Sequence, residues 1–187
     1  SSITSDVGIT FVLFDPASGK TAAGGTKTMY VGVGKTTNNL YVSNDGGASF
    51  TPVAGSPANM MAMRAVLAQG TLFITFSGGA GPYNVSTGSV WKFSTATSAW
   101  TNITPKDSVY FGSGAPGRNF GFGGITVDPN DPKHLVVSTI NSYSAQYRWA
   151  NKKTNAGDFI FESTDGGATW RNLFPAWVTN DGTNPNV

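Results

Sequence analysis

The chain has 187 residues, 12 lysines and arginines against 10 acidic residues for a net charge of +2, and no cysteine. That length suffices for one domain with a sizeable core. The charge balance excludes a basic nucleic-acid face, and the missing thiols exclude a disulfide framework or a thiolate metal site. With 24 glycines, 10 prolines and one glutamate, Glu162, the composition favours short strands and tight turns over helices.

No apolar run approaches the roughly 20 residues needed to cross a bilayer. The stretch SSITSDVG at residues 1–8 lacks the charged-then-apolar order of a secretion signal. Neither a membrane nor a nucleic acid is expected as a partner, and no residue pattern implies a cofactor.

Taken in chain order, GITFVLFDP (8–16) and TMYVGVG (28–34) read as strands, followed by a hairpin, LYVSNDGGASFTPV (40–53). The same order recurs as MRAVLAQG (63–70), TLFITFSG (71–78) and VWKFSTATSAWTNI (90–103). It recurs again as GFGGITVDP (121–129), HLVVSTI (134–140) and FIFESTDGGATWRNL (159–173). Each hairpin ends in an aromatic residue: Phe50, Trp100 or Trp170. Four strands repeated three times predict an all-β segment of a β-propeller, about three four-stranded antiparallel blades. The expected blade boundaries are about 5–55, 60–105 and 119–175, with a tail at 176–187.

In STDGGATW (163–170) the turn must reverse the chain between the third and fourth strands of a blade. Asp165 can accept backbone N–H groups across that turn. Gly166 and Gly167 tolerate positive φ, and Trp170 supplies a large apolar surface to bury between sheets. SNDGGASF (43–50) repeats this order with Asp45, whereas STATSAW (94–100) keeps only the indole. A calcium site is the competing reading of the two aspartates. These turns lack the alternating oxygen ligands and distal glutamate of a calcium loop, so no metal is expected.

The octapeptides at 43–50 and 163–170 resemble the Asp-box of sialidase-type propellers. Their surroundings, TKTMYVGVG, GTLFITFSGGAGPYNVSTGSVWKFSTATSAWTNITP and FGFGGITVDPNDPKHLVVSTINS, resemble the amino-terminal propeller of glycoside hydrolase family 74, from about Ser5 to Phe174. The resemblance implies a secreted, extracellular xyloglucan-cleaving enzyme of two seven-bladed propellers with the substrate between them. This chain is then expected to be a middle section of the first propeller, with the remaining blades and the second propeller as its partners. The family hydrolyses the glucan backbone with inversion through two aspartates whose motifs do not occur here, so no catalytic residue is assigned.

The acidic residues agree with that expectation. Asp45 and Asp165 belong to the turns, Asp15, Asp128 and Asp131 sit in or beside Asp-Pro contexts, and Asp107, Asp158, Glu162 and Asp181 have no partner legible in the sequence. Asp6 stays open as a cleft residue. His134, the single histidine, lies where a strand begins and reads as an edge residue.

Sugar contacts are expected from aromatic rings on loops, which offer flat faces to C–H groups. By the family resemblance Tyr83 in GPYN, Phe122 in FGFGG, and Tyr143 with Ser144 in NSYS are the candidate substrate-binding residues. Loop packing is the alternative for Tyr83 and Tyr143, and core packing for Phe122. Many family members carry two tryptophans where this chain has Tyr143 and Ser144, which implies a weaker hold on the polymer. The reading from a different functional class is a non-catalytic Asp-box propeller segment that binds carbohydrate or protein.

Overall fold

The computed structural model describes residues 8–80, 85, 87–106, 121–140 and 158–173. Among them there are three four-stranded antiparallel sheets and no helix. The first comprises β1 (Ile9–Lys20), β2 (Thr26–Val33), β3 (Leu40–Ser43) and β4 (Thr51–Pro52). The second comprises β5 (Met61–Ala68), β6 (Thr71–Ser77), β7 (Gly88–Ser94) and β8 (Trp100–Asn102). The third comprises β9 (Gly121–Val127), β10 (Leu135–Ile140), β11 (Ile160–Ser163) and β12 (Arg171–Asn172). In each sheet the strands lie side by side in chain order.

Side chains alternate between the two faces of a strand, so register decides which residues meet. In the first sheet Leu13, Tyr30 and Val42 share one row, and Val12, Val31 and Tyr41 share the next. The first row joins Leu72, Ile74, Phe76 and Phe93 in the core between sheets one and two. The second row faces away from that core, where Val12 is 51 % and Phe14 58 % exposed. Between sheets two and three, Phe73, Val90 and Ile103 pack with Phe122, Ile125, Leu135, Val137 and Phe161. The sheets therefore stack face to face, each covering one face of its neighbour.

The tryptophans at two of the hairpin ends fasten these junctions. Trp100 Nε1 donates to the Ala54 carbonyl of the first sheet's exit at 2.9 Å, and Trp170 Nε1 donates to the Ile103 carbonyl at 2.7 Å. A Cβ on Gly167 would fall 2.7 Å from Ile103 Cβ, so this glycine admits the neighbouring sheet. Phe50 has no N–H to give and packs on Val31, Val33 and Tyr41 of its own sheet.

The two aspartate turns are nearly identical. Ser43 Oγ donates to Asp45 Oδ1 at 2.7 Å, and Asp45 accepts from Ser49 N at 2.9 Å and from Ser49 Oγ. Ser163, Asp165 and Thr169 repeat this arrangement. Gly46, Gly47, Gly166 and Gly167 all have positive φ. The shorter turn of the second sheet closes instead by Ser98 N donating to the Ser94 carbonyl, with Ser98 at φ 57°.

Replacing Trp170 with phenylalanine keeps most of the ring and removes the donor to Ile103. We expect a loss of about 1 kcal/mol in unfolding free energy, read as a lower urea midpoint at unchanged slope.

The turn carboxylates add a pH dependence. Hydrogen bonds from the Ser49 hydroxyl and the Thr169 hydroxyl are the main causes that lower Asp45 and Asp165 from the ordinary 3.8 to about 2. Their stabilisation is complete above 3.8 and is lost as pH falls through about 2. Thermal melts across this interval should therefore show a falling midpoint, and a combined Asp45→Asn and Asp165→Asn variant a flatter profile.

Candidate functional site

Each sheet has one end where its first and third strands begin and its second strand finishes, and these ends gather together. At the first sheet Gly34 N donates to the Gly8 carbonyl at 2.7 Å. The position of a Cβ on Gly34 lies 3.9 Å from Met61 Sδ, which ties this end to the second sheet. Met61 pairs with Ser77, and Gly121 lies against Ser77, Val85 and the Ile140 carbonyl. Ser77 and Ile140 thus end their strands at one common end of the described sheets.

The FGFGG stretch explains how the innermost strands come so close. A Cβ on Gly121 would lie 2.4 Å from Val85 Cγ1 and 2.5 Å from Ser77 Oγ, and one on Gly123 would lie 2.4 Å from Ile140 Cδ1. Thr75 Oγ1 donates across the junction to the Gly123 carbonyl at 3.3 Å. Bare backbone is what this approach between β9 and the second sheet requires.

The sequence candidates fare differently. Phe122 is 1 % exposed and sits in the core between sheets two and three. Of its two readings, core packing is the one the structure realises, because alternation along β9 turns its ring toward the second sheet. It presents no face for a sugar. Tyr83, Tyr143 and Ser144 lie outside the described residues, as does Asp6. The described residues nearest to them in the chain, Val85 for Tyr83, Ile140 for Tyr143 and Ser144, and Gly8 for Asp6, belong to the gathered end.

Two carboxylates without legible partners acquire them in the fold. Asp158, at the same end, accepts from Thr139 Oγ1 at 2.9 Å, and Thr139 Oγ1 also receives the Phe159 N–H at 2.8 Å. Glu162 contacts His134 Nε2 at 3.1 Å and pairs with Arg171. The Arg171 hydrogen bond, then that of His134, lowers the Glu162 carboxyl below its ordinary value. His134 also stands 3.8 Å from Asp128 and is 40 % exposed, the edge position expected of it. The side-chain partners of Asp158 and Glu162 lie 9 to 28 positions away in the chain, which no local pattern reveals.

The remaining described aspartates are engaged in turns: Asp15 with Ala17 N, Asp128 with Asn130 N, and Asp131 with Lys133 N. Among the described residues no group of three metal-ligating side chains occurs. The gathered end is formed by strand ends on a sheet base, and binding residues are commonly carried by segments held on such a scaffold.

Three stacked four-stranded sheets with converging inner strands form an arc of a β-propeller. No protein-family model matches the chain. It is 40 % identical over 169 residues to a xyloglucanase from a Paenibacillus species, covering 90 % of this chain and 15 % of that protein. Among solved structures, the Niastella koreensis GH74 enzyme aligns with a TM-score of 0.69 at 40 % identity, over 88 % of this chain and 22 % of its own. The GH74 xyloglucanase of Xanthomonas campestris aligns equally well, at 34 % identity, over 89 % of this chain and 21 % of its own. The chain is homologous to a section of the glycoside hydrolase family 74 enzymes and spans about a fifth of their length or less.

Because Gly121 seats β9 against Ser77, Gly121→Ala should force these backbones apart. We expect a destabilisation of about 1 to 3 kcal/mol, measured by urea unfolding, with amide exchange rising first at Ser77 and Ile140.

Proposed function

We propose that this chain is a section of a xyloglucan-hydrolysing enzyme of the inverting endo-glucanase type, and that it forms part of the wall of the substrate cleft. The observation that carries this reading is the homology to xyloglucanases across nine tenths of the chain, with the loop bases gathered at one end of the three sheets. Inverting hydrolysis needs an acid and a base carboxyl ~6.5 to 9.5 Å apart with a water between. Asp45, Asp128, Asp131 and Asp165 are committed to turns, and Glu162 to His134 and Arg171. Following the family resemblance, we place the acid and the base in other parts of the parent protein, with Asp6, outside the described residues, kept open as a cleft residue, and this section holds the polymer.

In this reading the parent protein is a longer propeller enzyme, and the outward row of Val12 and Phe14 packs against another of its blades. A neighbouring blade would remove these apolar side chains from water, as the second sheet does for Leu13 and Tyr30. A polymer that cannot enter a cell makes the enzyme extracellular. Tyr83 and Tyr143 are the rings proposed to stack on the glucan, beside Ser144.

The test uses the purified 187-residue protein with xyloglucan. It should release no reducing ends yet bind xyloglucan oligosaccharides, and Tyr83→Ala or Tyr143→Ala should weaken that binding by roughly 1 to 3 kcal/mol, the scale of one stacked ring. Release of reducing sugar by sequence-verified material would overturn the division of labour. Binding unchanged in both variants would overturn the placement of the substrate.

A further inference from the structure

At the rim opposite the candidate cleft, sheets two and three part to leave a cavity of about 380 Å³. Its walls include Thr71, Lys92, Ser94 and Thr101 from the second sheet, and Lys133 and Asp165 from the third. Thr71 and Ser77 are the two ends of β6, so about 20 Å of strand separates this cavity from the loop carrying Tyr83. A ligand here does not share the glucan's site.

Lys92 is the unusual member. Its register position, opposite Thr101, corresponds to that of Val42, opposite Thr51, in the first sheet. Val42 packs into the core of its junction. The fold is therefore satisfied by an apolar residue there, and an ammonium placed at a junction loses hydration unless something polar compensates. One compensation is visible: Lys92 Nζ donates to the Gly166 carbonyl across the junction at 3.0 Å. An ammonium has three donors, so this bond leaves donor capacity at the cavity wall.

The charges around the cavity do not cancel. Among the described residues neither Lys92 nor Lys133 takes part in an ion pair. Among the described residues Asp165 is the single acid in the lining, and its oxygens are occupied by Thr169 and Ser163. Two lysines against one carboxylate leave one positive charge uncompensated. The hydroxyls of Thr71, Ser94 and Thr101 can each donate and accept, which suits a hydroxyl-rich guest. The volume lies at the small end of ligand sites.

We infer that this inter-sheet cavity is a second binding site, for a small hydroxyl-rich anion of the sugar-acid class, its carboxylate received by Lys92 and Lys133. The carboxylate replaces the solvation that the junction takes from half-buried Lys92, exposed Lys133 reaches it from the rim, and the ring hydroxyls meet the threonine and serine side chains.

The experiment is a titration of the isotope-labelled protein with sodium D-glucuronate, followed by amide chemical shifts. D-glucose serves as the neutral counterpart and inorganic phosphate as the plain anion. Glucuronate should shift the amides of Thr71, Ser94, Thr101 and Gly166 saturably, more weakly as salt is raised, and glucose should leave them in place. Lys92→Met and Lys133→Met should each weaken binding about tenfold or more, as expected for loss of a charge-assisted hydrogen bond. Lys133→Met leaves the bond from Lys92 to Gly166 intact, so its effect does not depend on a disturbed junction. Equal shifts with glucose, no saturable shift with glucuronate, or undiminished binding in Lys133→Met would each overturn the site. Phosphate binding as tight as glucuronate would reduce it to an adventitious anion site.

Discussion

Trp100 and Trp170 each lay a ring against the preceding sheet and give the indole N–H to a carbonyl of that sheet. The rest of the architecture depends on this double contact. Burial of the ring is favourable but non-directional, and by itself would let two sheets slide. The N–H cannot be buried without an acceptor. Placing that acceptor just after the last strand of the neighbouring sheet fixes where along the junction the ring must stop.

Once the outer rim is fastened, the inner strands have little freedom. They converge, and β9 approaches the second sheet so closely that Gly121 has no room for a side chain against Ser77 and Val85, while Gly123 and Gly124 make way for Ile140 and Ser138 of their own sheet. Convergence brings one end of all three sheets together and leaves the opposite rim open between sheets two and three. The two ends consequently differ in chemistry. One bears loops on glycine-lined strand ends, and the other bears hairpin turns held by carboxylates, with lysines between them.

The described acidic residues serve structure before chemistry. Asp45 and Asp165 are ionised across the ordinary pH range because hydroxyl and amide donors surround them. Their lone pairs are spent inside the turn. Glu162 is likewise spent on His134 and Arg171. A carboxyl held near 2, as Asp45 and Asp165 are, is a poor general base near neutral pH.

Much of the fold was legible in the residues themselves. Period-two alternation, glycine at positive-φ turns and an aromatic after each hairpin are local signals, because they reflect contacts between near neighbours in the chain, and three repeats made the order of twelve strands readable. The extension of β1 to Lys20, past the Asp-Pro pair expected to end it, was not readable, since its pairing with Thr26 follows an irregular stretch. Neither was the fate of Phe122: a loop-flanked aromatic looks alike in sequence whether it meets a sugar or a neighbouring sheet, and only packing against Phe73 and Val90 puts it in the core. The partners of Glu162 and the bond from Lys92 to Gly166 were equally hidden. Local order is written in neighbouring residues, whereas which charges meet is decided when separate sheets dock, and that depends on register and face across distances no short motif encodes.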